Sequence, residues 1–294
     1  MIYLLLTVLL NVVISALLKI FPRYKIDALQ AIVANYWVCV ITGSVFIGHF
    51  PINTQGAQQV WFPWALLMGL GFISIFNLLA YSTKVDGITT TTIANKLSLV
   101  IPVLFSAILY NEHIGIYKVI GIVLAFPAVY YTSRVKDENK QAQNLYIAAL
   151  LFVCSGLLDT LVKFVEIHFL PAADVQAIYL IYTFAAAGSI GIVLISILVA
   201  MKKIELHWRN LIIGVILGIP NYFSIYFLVR LLNSNYLQSS AAIPVNNIAI
   251  LVVTTLMAIL FFREKVTVQR VIGLILSVLA ILLIAMGDMH GRSI

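Results

Sequence analysis

Charge is what this sequence has least of. Charged side chains make up 10 % of its 294 residues and apolar ones 62 %, against about 25 % and 45–50 % for soluble globular chains. That is too few charges to cover a water-facing surface, so a soluble enzyme or binding domain is excluded. Cysteine is also scarce: Cys39 and Cys154 are the only two, both inside apolar runs, so neither a disulfide framework nor a metal site is implied. No His-Glu-x-x-His pair, nucleophile-elbow serine or nucleotide-binding loop occurs, and His49, His113, His168, His207 and His290 are dispersed at the edges of apolar runs. These absences argue against a membrane-embedded enzyme and against direct drive by ATP, and no cofactor is expected. The net charge of +7 lies in short clusters between apolar runs and not in a basic stripe, so no nucleic-acid partner is implied.

What the chain does have is long apolar runs. They fall at about 2–21, 28–49, 61–82, 87–110, 115–133, 144–169, 174–200, 208–230, 236–262 and 266–287. Most are near the ~20 residues that a helix needs to cross a bilayer core. The expected fold is therefore an all-α integral membrane protein of ten transmembrane helices, multi-pass in the cell (inner or plasma) membrane, with the lipid bilayer as its solvent. The first run has no basic segment ahead of it and no small-residue cleavage pattern before Lys19, and reads as a retained helix.

The longest polar stretch lies near mid-chain and divides the sequence into a first five-helix repeat (1–133), a linker (134–143) and a second five-helix repeat (144–294). Self-comparison supports the division. Asn95, Glu112 and Gly121 recur as Asn247, Glu264 and Gly273, each 152 residues on, and Gln30-Ala31-Ile32 recurs as Gln176-Ala177-Ile178, 146 on. Five spans is an odd number, so the second repeat must cross the membrane in the opposite sense. The charges agree: the first loop carries Lys19, Arg23 and Lys25 where its counterpart has no Lys or Arg, and the uncharged loop at 49–60 corresponds to one with Lys202, Lys203 and Arg209. Opposite bias in matching loops is what two inverted repeats require.

Polar side chains mark the candidate site. The fourth run opens with Thr89 to Thr92, Asn95, Lys96 and Ser98, and its counterpart, the ninth, carries Asn246 and Asn247. Inversion brings these polar halves to the midplane, where Pro102 and Pro244 are positioned to break the backbone ladder. The candidate substrate-binding residues are Lys96, Asn95, Thr92, Asn246, Asn247, Asn11, Ser15, Tyr81, Asn221 and Tyr222. The competing reading of the Ser, Thr and Asn residues is interhelical packing, at ~0.6–2 kcal/mol each. Lys96 needs more, because a charge near mid-span costs at least ~2.5–3.5 kcal/mol without a partner or a wet cavity. Asp159 is the candidate proton-coupling residue when paired with Lys96; paired with Lys163 one turn away, it is a structural ion pair. Gly214 with Gly218, and Ala65 with Gly69, form small-residue faces for close helix contacts. Trp61, Trp64, Trp208, Tyr130 and Tyr131 read as an interfacial belt, and Glu112 and Glu264 as topological charges at the starts of the fifth and tenth helices.

The ten-span duplication, with Asn111-Glu112-His113 leading to Gly121 and Arg263-Glu264-Lys265 leading to Gly273, resembles the EamA branch of the drug/metabolite transporter superfamily. The resemblance implies alternating-access transport of a small molecule through a cavity between the halves. The first helix departs from the family pattern, with Asn11 to Lys19 in place of a Trp-Gly pair, and the loop between the second and third helices lacks its usual basic residues. The reading is thus a secondary transporter of a small polar or amphipathic metabolite, with a small-molecule substrate as partner. The alternatives are a channel or receptor-like membrane protein, and behind them the embedded enzyme.

Orientation is predicted by charge. With the N-terminus outside, the cytoplasmic loops hold thirteen Lys and Arg residues and the other side holds only Lys118, Arg230 and Arg292, whereas the resemblance implies the reverse. The positive-inside rule places both termini away from the cytoplasm. A cysteine at Gln55 is then expected to react with an impermeant thiol reagent in cells whose outer envelope alone is permeable. Reaction at Lys202→Cys in place of Gln55→Cys gives the opposite orientation.

Overall fold

The computed structural model describes residues 2–110, 115–133, 145–170, 173–232 and 239–290. The linker at 134–143 and Glu112 lie outside them. Among the described residues all regular structure is helical: α1 (Ile2–Ile20), α2 (Ala28–Ile47), a single turn α3 (Thr54–Ala57), α4 (Phe62–Val85), α5 (Ile88–Leu97), α6 (Val100–Tyr110), α7 (Ile116–Ser133), α8 (Leu145–Phe169), α9 (Ala173–Ala200), α10 (Trp208–Leu232), α11 (Ser239–Phe262) and α12 (Val268–His290). Nine spans among them are long and apolar enough to cross a membrane, with α5 and α6 together making one of the nine. The tenth expected span, α7, is apolar over Ile116–Thr132 but shorter.

The outward face is greasy. On α10, Leu211, Ile212, Val215, Ile216 and Ile219 are exposed, while on the same helix Leu217 and Asn221 are buried. Large apolar side chains outside and small or polar ones inside is the pattern of a helix solvated by lipid.

Proline acts differently at its two expected break points. The fourth apolar run is interrupted at Ser98–Leu99, giving α5 and α6. Pro102 explains the position: it has no N–H and its ring collides with the carbonyl four residues back, that of Ser98. It is tolerated as the third residue of α6, where a helix has no use for that N–H. Pro244 makes no such break, since α11 runs continuously from Ser239 to Phe262.

The chain compacts into two units, and each draws on both halves of the sequence. One comprises Met1–Lys19, Tyr81–Asp159 and Ser224–Ile294, the other Ile20–Ala80 and Thr160–Phe223. In the first, α7 packs along α12, and α5 packs against α7, α11 and α12. Glycine permits the close approach: a Cβ on Gly121 would lie 2.8 Å from Ala280 O and 2.8 Å from Ile284, and one on Gly273 would lie 3.0 Å from Ala128 O and 2.3 Å from Thr132. Gly121 and Gly273, Ala128 and Ala280, Thr132 and Ile284 are each 152 positions apart. One contact is made twice, with the partners exchanged, as in an isologous interface.

In the second unit α2 packs along α9. Gly214 and Gly218 meet α2 at Ala31, Ala34, Asn35 and Val38, and Gly69 meets α9 at Ala186 and Ala187, so both small-residue faces are tight contacts. The loop before α10 is clasped by Gln30, whose Nε2 donates to Glu205 O (2.8 Å) and whose Oε1 accepts from Asn210 Nδ2 (2.9 Å). Trp61 departs from the expected interfacial belt. It is buried, with its ring edge-on to Tyr179 and Tyr182 at centroid distances of 5.7 and 5.1 Å. Trp208 is exposed as a belt residue should be.

Candidate functional site

The site residues on α5 owe their position to a short helix with unusual ends. Gly87 at its N-cap has φ 92° and supplies no side-chain cap. At the other end the Ser98 hydroxyl donates to Asn95 O at 2.6 Å, satisfying a carbonyl that the interruption leaves without its usual partner. Between these ends the four threonines divide. Thr89 Oγ1 donates to Glu264 (2.9 Å), Thr90 Oγ1 to Thr132 O (3.0 Å) and Thr91 Oγ1 to Gly87 O (2.7 Å). Each of these three hydroxyls is thus engaged within the protein. Thr92 has no hydrogen-bond partner among the described residues.

Around the C-terminal half of α5, polar groups converge from α8. Asn95 Nδ2 donates to Ser155 Oγ at 3.1 Å. Asp159, one turn beyond Ser155, has Oδ2 3.3 Å from Ser98 Oγ. Lys96 and Asp159 are near enough to attract each other, and no direct ion pair joins them among the described residues. Asp159 is exposed on α8, so its carboxylate is open to solvent or to a ligand.

The Ser98 hydroxyl has one hydrogen and two acceptors. The Asn95 carbonyl, at 2.6 Å, is the nearer, and the carboxylate at 3.3 Å is weakly held. A proton on Asp159 turns the arrangement into an unbroken donor chain, from the carboxyl to Ser98 Oγ and from Ser98 to the Asn95 carbonyl.

The other expected residues lie on several helices. On α11, which packs against α5, Asn246 is buried and its Oδ1 has no partner, while Asn247 is half-buried. On α1, Asn11 Nδ2 donates to Thr7 O (2.8 Å) and Ser15 Oγ to Asn11 O (3.0 Å), both within the helix. Tyr81 is 53 % exposed at the start of its segment of the first unit. Asn221 and Tyr222 belong to the second unit. There Asn221 Nδ2 donates to Asn35 Oδ1 (3.0 Å), and the Tyr222 ring contacts Phe46 and Phe223. The structure thus brings together Lys96, Asn95 and Asp159, and sets Thr92 on the same helix.

Two participants went unread in the sequence. Ser155 carried a signal, since it lies one turn from Asp159 on one face of a helix. Glu264 was read as a charge serving the tenth helix, but that helix is capped by Thr267, whose Oγ1 accepts from Arg270 N (3.3 Å). Glu264 instead reaches the N-terminus of α5, accepting from Ile88 N at 2.7 Å. No periodicity along one helix reports a cap supplied by another.

The fold and these side chains define a multi-pass helical membrane protein with a charged, hydrogen-bonded cluster inside its spans and beside an interrupted helix. Residues 2–134 match the model of the EamA-like transporter family. A protein of Haemophilus influenzae described as "Uncharacterized protein" is 26 % identical over 282 residues, covering 93 % of this chain and 94 % of that protein.

The amides on α11 and α10 differ in a testable way. Asn221→Ala removes a buried, satisfied hydrogen bond and is expected to destabilise the ligand-free protein by ~1–2 kcal/mol. Asn246→Ala removes a buried oxygen with no partner, and should cost much less. Thermal unfolding in detergent compares the two; equal losses refute the distinction.

Proposed function

We propose that the protein is a secondary transporter that moves a small polar or amphipathic metabolite across the cell (inner or plasma) membrane by alternating access, in a scaffold of two inverted five-helix repeats. The observation that carries the reading is the Lys96–Asp159 cluster. A lysine and an aspartate within spans are costly in lipid and call for a function, and here they lie beside a helix interruption with Asn95, Ser98 and Ser155. The family description supports transport. The exchanged contacts of Gly121 and Gly273 support duplication about a two-fold axis, and an odd number of spans per half, as the apolar runs suggest, supports inversion of the repeats.

In this reading Lys96 binds an anionic or carboxylate group of the substrate and Asn95 and Thr92 hydrogen-bond to it. Asn246 and Asn247 approach from α11, and the unpartnered Asn246 Oδ1 is an acceptor awaiting a donor. Asn11, Ser15 and Tyr81 complete the lining from α1 and α4. Asp159 takes up the coupling proton, with the donor chain through Ser98 accommodating it.

A thermal-stabilisation screen of the purified protein across metabolite classes identifies the substrate, because a ligand that binds the folded state raises Tm. With that compound in proteoliposomes, uptake is expected to saturate, whereas a channel gives a linear dependence on concentration. Lys96→Ala should abolish uptake while the protein remains folded, and normal uptake in that variant removes Lys96 from the site. Asp159→Asn should keep ligand-induced stabilisation and lose the response of uptake to an imposed pH gradient. An unchanged response returns Asp159 to a structural role.

A further inference from the structure

Glu264 follows α11 by two residues, and its side chain is 7 % exposed. The chain leaves α11 through Arg263 at φ 50°, and Glu264 N donates back to Ala258 O at 3.1 Å. That turn aims the carboxylate at α5. Oε1 accepts from Ile88 N (2.7 Å), and Oε2 accepts from Thr89 Oγ1 (2.9 Å) and, at greater length, from Thr89 N (3.4 Å). Two cations complete the surroundings: Lys19 Nζ is 3.6 Å from Oε1 and Arg270 Nη1 is 3.8 Å from Oε2. Lys19 also donates to Thr83 O (3.1 Å), near the end of α4. One carboxylate therefore ties together residues of α1, α5 and α12.

The local sequence of α5 is made for this partner. A helix N-terminus leaves its first N–H groups unsatisfied and carries partial positive charge, so a carboxylate is its natural complement. Ordinarily the N-cap side chain fills that place. Gly87 has none, and a Cβ there would stand 2.7 Å from Glu264 Oε1 in a backbone conformation that side chains resist. Glycine at 87 thus admits the carboxylate that replaces the missing cap.

The interruption at Ser98–Leu99 ends the regular ladder of α5, so the helix is fixed by its own contacts: the capped end, Thr90 to Thr132 O, and Asn95 to Ser155 Oγ. Asn95 and Lys96 lie six and seven residues beyond Thr89, or about two helical turns. A shift or rotation of the capped end carries both side chains with it.

We propose that Glu264 is the positioning residue of the transport site: by capping α5 it sets the axial position and rotation of the helix that presents Asn95 and Lys96. The proposal rests on the reading of Lys96 as part of an aqueous site, and the test separates the two. Full-length protein in proteoliposomes carries Lys96→Cys after replacement of both native cysteines by alanine. Its modification by the neutral reagent 2-hydroxyethyl methanethiosulfonate is followed by mass spectrometry. Against this parent, Glu264→Gln and Thr89→Val are expected to raise the modification rate by about tenfold, the equivalent of ~1.4 kcal/mol. Thr89→Ser, which keeps the hydroxyl, should restore the parental rate, and a Gln55→Cys control should be unaffected in every background. Equal rates in all backgrounds overturn the proposal, as does a parallel rise at Gln55→Cys, which marks general loosening. Should Glu264→Gln fail to fold, the Thr89→Val and Thr89→Ser pair decides on the same criterion. A parent that does not react at Lys96→Cys refutes the aqueous site itself, and the positioning role falls with it.

Discussion

In hydrocarbon there is no water to take up a hydrogen bond, and every backbone N–H and C=O within a span must find a partner in the protein. The described residues meet that demand with helices, and the departures from helix are where the chemistry gathers. Where Pro102 interrupts the ladder, Ser98 returns its hydroxyl to the Asn95 carbonyl. Where α5 begins, a distant carboxylate takes the N–H groups that no side chain of its own can reach. The polar cluster around Lys96 lies between these two repairs. An interrupted helix is costly in lipid unless both loose ends are satisfied, and satisfying them brings titratable and hydroxyl groups into the interior.

Packing follows from the same solvent. Lipid tails are as apolar as leucine, so burying leucine yields little association between helices, and close contact between backbones counts for more. The glycines on α7, α10 and α12 and on α4 meet alanines and backbone atoms of their neighbours, while large aliphatic groups face outward. The exchanged contacts of Gly121 with Ala280 and Gly273 with Ala128 mean that substituting either glycine strains the same kind of seam. They also give a geometric reason for small residues to recur 152 positions apart.

The charged groups divide into two kinds. Glu264 is enclosed by two cations, a hydroxyl and two backbone N–H groups, and is fully engaged. Asp159 has one long hydrogen bond and an ammonium at a distance, which leaves it capacity for a proton or a ligand. A carboxylate with few strong partners is able to change its partners during a cycle. One held by five is suited to keeping a helix in place.

Much was legible in the sequence because a bilayer imposes length and polarity directly on the chain. Nine of the ten apolar runs coincide with spans among the described residues, and the small-residue faces marked close contacts. The rarity of charge within spans singled out Lys96 and Asp159, and the recurrence at 152 residues paired the helices that meet in the fold. What stayed hidden depends on separations that no local pattern records. The partners of Asn95 and Asp159 are Ser155 and Ser98, 60 and 61 residues away, and they appear only when α5 and α8 are side by side. Trp61 carries the signature of an interfacial residue and is buried against Tyr179 and Tyr182, since aromatic character at a span end does not say which way the ring faces. Pro102 and Pro244 look alike in sequence, yet only the first interrupts its helix. Glu264 lies beside α12 in the chain and serves α5, 176 residues away. Hydrophobic length is a property of the chain, whereas the partner of a buried polar atom is a property of the tertiary structure.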